Sequence, residues 1–265
     1  MQYDPIKTFL GKIFGSQPVF RKIFYRLLDI LFLRAWYIRH ELKQLPNNHN
    51  YSILDAGSGF GQYTYRMKHM FPSSQILAID LKEEQMEDCR QFFNKAGLQK
   101  GVSFMKADLT KFIKPDSFDL VLSVDVMEHI TEDEKVFSNF YKSLKKNGAL
   151  IISTPSDQGG SDTNHGENFI SEHVRNGYSI YDIKEKLKAA GFTNILAQYS
   201  YGKPGNISWM LSIKYPIIML GKSKLFFIFL PFYYLLIIIF CLTLNFIDLK
   251  STLSRGTGLI VKAIK

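Results

Sequence analysis

YSILDAGSGFGQYTYRM, residues 51–67, sets three glycines at alternate positions directly after a short apolar run. Such a run, ended by a glycine-rich turn, reads as a buried strand feeding a helix, and backbone there can approach a ligand closely. The turn runs Asp55-Ala56-Gly57-Ser58-Gly59-Phe60-Gly61, which is D-x-G-x-G-x-G and not the G-x-G-x-x-G of dinucleotide sites. No Gly-Lys-Ser/Thr follows, so a P-loop is excluded. A carboxylate two residues before the first glycine repels a pyrophosphate but accepts hydrogen bonds from a ligand ammonium. An NAD-dependent dehydrogenase fits this spacing poorly.

Further short apolar runs follow: QILAID, VSFMKADL, FDLVLSVD and GALIISTP, each bounded by Gly, Asp, Pro or Asn. Continuous apolar character predicts strands covered on both faces, as in a parallel sheet. Helices are predicted at about 61–70, 82–96, 131–146 and 179–190, the second and fourth ending at Gly97 and Gly191. The pattern is that of a doubly wound α/β domain. Its second strand ends at Asp80, 19 residues after Gly61, where a carboxylate can accept both hydroxyls of a ribose. After the third strand, Asp108 can take an exocyclic amine and Leu109 can pack on an adenine face.

In combination, ILDAGSGFG, ILAID, FMKADL, FDLVLSVDVMEHI, LKKNGALIISTP and EHVRNGYSIYDIKEKLKAAGF resemble the class I S-adenosylmethionine-dependent methyltransferases over roughly residues 51–200. The resemblance implies Asp55, Gly57, Ser58, Gly59 and Gly61 around the methionine end, Asp80 with Leu81 at the ribose, and Asp108 with Leu109 at the adenine, Val124 completing the set. It also implies a Rossmann-like seven-stranded sheet ending in an antiparallel hairpin, here TNILAQYSYG with GLIVKAIK. DVMEHI is most similar to the ubiquinone-type O-methyltransferases of the methyltransferase type 11 group. There an acidic cluster can bind Mg, matched here by Asp125, Glu128 and His129; the alternative is that Glu128 and His129 line the pocket without metal. His129 is the first choice as general base, since an imidazole ordinarily titrates near neutrality, with Glu128 beside it and His173 second. The polar, glycine-rich stretch 156–169 reads as a lid over the acceptor, His165 lying within it.

Outside this middle the chain changes character. Residues 1–50 carry +5 and 203–265 carry +7, against −3 between them, for a total of +9. Both basic ends are rich in apolar and aromatic residues, which suits an anionic membrane surface better than nucleic acid. LFFIFLPFYYLLIIIFCLTLNFI, residues 225–247, holds 23 residues without a charge, enough to cross a bilayer. A single crossing would strand the final β segment on the far side with unpaired edges. A re-entrant hairpin with 207–220, or helices lying in the interface, avoids that cost. Pro216 and Pro231 are expected to kink or break those helices, and Lys214, Lys222 and Lys224 to reach headgroups. In VFRKIFYRLLDILF, Phe20, Ile23, Phe24, Leu27, Leu28 and Leu31 share one helical face and Arg21, Lys22, Arg26 and Asp29 the other. That helix reads either as a cap packed on the domain or as a membrane contact.

The expected organisation is N-terminal amphipathic cap helices over 1–50, a methyltransferase domain over 51–202 plus 256–265, and a membrane-associating insertion over 203–255. Cys89 and Cys241 lie far apart, and no cleavable signal peptide is evident, so the cytoplasmic face of a membrane is the expected location. The expected activity is S-adenosylmethionine-dependent methyl transfer to a lipophilic acceptor such as a quinone precursor, a phenol or a lipid. Two alternatives stay open: a soluble enzyme for a small polar metabolite, with the insertion as dimer interface, and a non-catalytic subunit of a membrane complex.

Overall fold

The computed structural model describes residues 18–46, 50–159, 174–223 and 225–265. Helices α1 (Pro18–Leu31) and α2 (Leu33–Lys43) precede an alternating series: β1 (Ser52–Ala56), α3 (Gln62–Met70), β2 (Gln75–Asp80), α4 (Glu83–Lys95), β3 (Val102–Lys106). The series continues with β4 (Phe118–Val124), α5 (Asp133–Ser143), β5 (Leu144–Pro155), α6 (Ile180–Ala189) and β6 (Thr193–Ser200). One seven-stranded sheet results, in the order β3-β2-β1-β4-β5-β7-β6, where β7 is Gly258–Ile264. The first five strands are parallel, and β7 runs antiparallel between β5 and β6. This is the expected Rossmann-like sheet, with Leu196 opposite Lys262 and Ser200 opposite Gly258 in the terminal hairpin.

Successive strand residues face opposite sides, which explains the unbroken apolar runs. Ile53, Leu122 and Ile151 pack beneath Leu33, Ile38 and Leu42 of α2. Leu54, Val121 and Ile152 pack on the other side, under Phe137 and Phe140 of α5 and Leu187 of α6. Each such buried side chain contributes about 2 kcal/mol, so α2 is a structural layer of the sheet and not an appendage.

Helix α1 packs on the domain the other way round from an ordinary amphipathic helix, whose apolar face turns to the core. Its buried residues are Arg21 and Tyr25, while Val19, Ile23, Leu27 and Ile30 are 42–63 % exposed. The inversion has a polar cause. Arg21 donates to Asp88 Oδ2 at 2.6 Å, and Asp29 pairs with Arg66 at 2.5 Å and accepts from Gln62 Nε2 at 2.8 Å. These partners lie on the domain, so they draw Arg21 and Asp29 inward, while Arg26 stays exposed.

Between β6 and β7 the chain runs out and back. It leaves through α7 (Lys203–Trp209), a π-helical turn (Met210–Lys214) and α8 (Tyr215–Lys222), and returns through α9 (Phe226–Lys250). The two limbs are joined by Ser208 Oγ donating to the Cys241 carbonyl at 3.1 Å, and by Tyr233 and Tyr234 hydroxyls donating to Leu211 and Ser212 carbonyls at 2.8 and 2.6 Å. Both ends of this helical hairpin return to paired neighbouring strands. Pro231 lies inside α9, which runs on through it as one helix, so the break expected there does not occur. Pro216 opens α8 directly after the π-helical turn, so the irregularity lies before it. Helix α9 reaches a mean hydropathy of 2.5, with 6 % of its most apolar stretch buried.

Candidate active site

The strand order reverses between β1 and β4, and their carboxyl ends form the crevice where ligands bind in open α/β sheets. Gly57 and Gly59 have φ of +79° and +53°, in the left-handed region that side chains disfavour. A Cβ on Gly57 would run into the Val126 methyls, so the turn is pressed against the loop that follows β4. A Cβ on Gly59 would meet nothing within 4 Å, so this residue faces the open side of the crevice. The Gly57 and Ser58 amides donate to the Ile79 carbonyl at 2.8 and 3.0 Å, holding the turn beside the end of β2.

Asp80 accepts the Gly59 amide at 2.9 Å through one oxygen and the Lys82 amide at 3.1 Å through the other. Each carboxylate oxygen has a second lone pair, which leaves capacity for ribose hydroxyls. Leu81 beside it is 63 % exposed. Asp108 accepts the Thr110 amide at 2.9 Å and the Thr110 hydroxyl at 2.8 Å. Those two bonds hold its carboxyl below the usual range, so it is an anionic acceptor at neutral pH. Leu109 is packed into the core, and its carbonyl accepts from Asn139 at 2.9 Å. Val124 closes β4 at the same edge.

Asp55 lies at the end of β1, directly before the glycine turn. It is 2 % exposed, and its Oδ2 takes the Thr64 hydroxyl at 2.5 Å, tying β1 to the first turn of α3. Burial, opposed by the Thr64 bond and reinforced by the Asp80 charge, pushes it up to about 7. Glu128 is likewise buried, at 1 % exposure, and accepts from Thr154 Oγ1 at 3.2 Å. Burial first, then the neighbouring Asp125 charge, pushes its carboxyl up to about 8. His129 ends a short 3-10 turn, Met127–His129, and is exposed at the crevice side of β4. His173, His165 and most of the expected lid lie outside the described residues.

The expected Mg cluster does not assemble. Asp125, at φ +52°, is paired with Arg34 of α2, and Glu128 points to Thr154. Among the described residues, no three His, Cys, Asp or Glu side chains come together as metal ligands.

Several residues at this edge carry no sequence signal. The Arg34 amide donates to the Tyr201 hydroxyl at 3.1 Å, and its guanidinium meets Asp125, 91 positions away. The Tyr63 hydroxyl is buried beside them with no hydrogen-bond partner among the described residues. On the cofactor side, Arg21 Nη2 donates to the Phe60 carbonyl at 2.7 Å and the Tyr25 hydroxyl donates to the same atom. Only the fold brings these groups together.

The left-handed turn, the open face at Gly59 and the acceptors Asp80 and Asp108 fit an adenosine-containing cofactor of the S-adenosylmethionine type. Comparison with known proteins agrees. Residues 47–202 match the family described as methyltransferase domain. Phosphoethanolamine N-methyltransferase 1 of Arabidopsis thaliana is 32 % identical over 158 residues, covering 55 % of this chain and 29 % of that one. A malonyl-[acyl-carrier protein] O-methyltransferase of Bacillus cytotoxicus is 30 % identical over 120 residues, covering 44 % of this chain and 41 % of that one. The chain therefore spans less than half the length of these curated relatives. Haemonchus contortus phosphoethanolamine N-methyltransferase 2, solved with phosphomonomethylethanolamine and S-adenosylhomocysteine, superposes with a TM-score of 0.61 at 18 % identity, covering 86 % of this chain and 52 % of that one. A methyltransferase of Mesorhizobium loti gives 0.54 at 19 % identity, covering 88 % and 98 %. None of these names points to quinone methylation. The family match and the seven-stranded sheet agree that this chain belongs to the class I S-adenosylmethionine-dependent methyltransferases.

Proposed function

We propose that this chain methylates an acceptor presented at a lipid surface. The observation that carries the reading is the apolar hairpin. Helix α9 is 25 residues long, roughly 37 Å at 1.5 Å per residue, against about 30 Å of hydrocarbon. Phe232, Leu235 and Leu236 are 67–81 % exposed, a cost that water imposes and lipid removes. Both limbs return to one sheet edge, which suits a monotopic insertion better than a single crossing.

When bound, S-adenosylmethionine supplies a methyl group already activated on a sulfonium. The chain has to align an acceptor and take up a proton. Asp80 and Asp108 hold the nucleoside, and the turn at Gly59 admits the rest of the cofactor. His129, exposed beyond β4, is our choice for the proton acceptor, with Arg34, Asp125 and Tyr63 forming the polar wall of the acceptor side. Glu128 is buried too far for direct contact and supports the loop that carries His129.

A second reading is a soluble enzyme for a polar metabolite, its hairpin covered by another copy. The polar substrates named for the relatives and the charged Arg34–Asp125 wall favour it. One experiment separates the two. The full chain is incubated with S-adenosylmethionine labelled at the methyl and a whole-cell extract, then partitioned between organic and aqueous phases. Label in the organic phase, lost when Phe232, Leu235 and Leu236 are all changed to Glu, supports the membrane acceptor. Label confined to the aqueous phase and unaffected by those changes overturns it.

A further inference from the structure

The inverted helix α1 presents two faces with different consequences. Its inner face grips the cofactor turn: Arg21 and Tyr25 both donate to the Phe60 carbonyl, between Gly59 and Gly61, while Asp29 takes Gln62 at the start of α3. Its outer face carries Val19, Ile23, Leu27 and Ile30, a stripe with 42–63 % exposure. At 100° per residue Lys22 and Arg26 flank one side of that stripe, the arrangement that lets basic side chains reach headgroups while apolar neighbours enter the acyl boundary. At its far end α1 adjoins the hairpin: Leu28 and Leu31 pack with Trp209, Ile213 and Ile217. Helix α1 thus adjoins the root of the hairpin whose outer face is assigned above to lipid.

We propose that the outer stripe of α1 is a second docking surface for an anionic bilayer, and that docking there tightens cofactor binding through the grip on Phe60. This rests on the lipid reading of the hairpin. The coupling is thermodynamic. A bilayer that favours α1 in its seated position favours the cofactor turn that this position holds, and bound cofactor must in return strengthen docking. Anionic lipid is the occupant that the flanking cations select. The apolar stripe alone would also accept a second copy of the chain.

The test uses the full chain and S-adenosylhomocysteine as the probe, with affinity measured by calorimetry alone, with phosphatidylcholine vesicles, and with vesicles containing phosphatidylglycerol. We expect the anionic vesicles to tighten wild-type binding by about 5- to 10-fold, at the lower end of ordinary allosteric coupling. The variant I23E/L27E should still float with vesicles through its hairpin, bind S-adenosylhomocysteine as the wild type does without lipid, and gain nothing on vesicle addition. Arg26→Glu, a milder change at an exposed position, should reduce the difference between anionic and neutral vesicles. If the wild type floats but its affinity does not change, or if I23E/L27E gains as much as the wild type, the proposal is overturned and the hairpin reading stands. If the wild type does not float at all, both fall. If I23E/L27E instead converts a defined dimer into a monomer without any lipid effect, the stripe belongs to a second copy and the proposal is overturned.

Discussion

Tyr37 and Asp248, 211 positions apart, meet at the root of the apolar hairpin, where the fully buried carboxylate accepts the tyrosine hydroxyl at 2.8 Å. The same carboxylate accepts the Gly205 amide at 3.0 Å and the Tyr201 amide at 3.2 Å. One side chain at the inner end of α9 therefore ties together both limbs of the hairpin, α2 and the end of β6. Asp248→Ala leaves several buried donors without an acceptor, each a penalty of about 1–3 kcal/mol. We expect a loss of roughly 3 kcal/mol, read as a lowered melting temperature, with Asp248→Asn costing less because its carbonyl oxygen still accepts. An unchanged melting temperature for the alanine variant would show that the root is not built on this residue.

The glycine turn makes a sharper pair of predictions. Gly57→Ala combines a left-handed backbone with a collision against Val126, whereas Gly59→Ala has the backbone cost alone and faces open space. The left-handed cost is about 1–2 kcal/mol for either. Gly57→Ala should therefore lose more stability than Gly59→Ala, and adding Val126→Ala should recover the difference but not the backbone part. Gly59→Ala should keep its fold yet bind S-adenosylhomocysteine at least 10-fold more weakly, because its new methyl occupies the open side of the crevice. Calorimetry beside thermal melts checks all three variants.

These contrasts also show what the sequence could and could not disclose. The inner strands β1, β4 and β5 were legible because both faces are buried and their core runs are apolar, whereas the pairing of β6 with β7 came from the resemblance to the methyltransferases and not from the residues of the two strands themselves. The places of Asp80 and Asp108 were legible because each follows from the position of its strand in the α/β series. The partner of Asp55, Thr64, was not legible, because it is supplied by the packing of α3 on β1. The direction of the apolar face of α1 was not legible for a related reason: helical periodicity locates two faces but cannot say which one finds partners. Asp88, Gln62 and Arg66 decide that, and they lie 33 to 67 positions away. The Arg34–Asp125 pair has no local signature at all.

Buried Glu128 predicts a specific pH response. Its carboxyl stands at about 8 in the fold against an ordinary 4.5. A raised carboxyl means that the folded chain holds a proton that the unfolded chain releases, so stability is fully present below about pH 4.5 and falls as pH rises towards 8. Asp55, at about 7, contributes the same sign over a window that closes earlier. The decline between pH 7 and 8 is therefore mostly that of Glu128. Glu128→Gln should flatten it while leaving most of the decline below pH 7 that Asp55 provides. Melting temperatures recorded from pH 5 to 8.5 test this, and an unaltered slope between pH 7 and 8 would place the proton elsewhere.

Tyr63 allows stability and function to be separated on one atom. Its hydroxyl is buried near Arg34 and Asp125 with no hydrogen-bond partner among the described residues, and burial pushes the phenol upward, so it stays neutral. A buried hydroxyl without a partner costs free energy, so Tyr63→Phe should leave the melting temperature unchanged or raise it slightly, within about 1 kcal/mol. If the hydroxyl waits for a polar group of the acceptor, the same change should weaken methyl transfer through a higher KM while S-adenosylhomocysteine affinity stays constant. A merely structural tyrosine would show the opposite pattern: lower stability and an unaltered KM. Measuring melting temperature, cofactor affinity and KM on Tyr63→Phe assigns the hydroxyl to the acceptor wall or removes it from there.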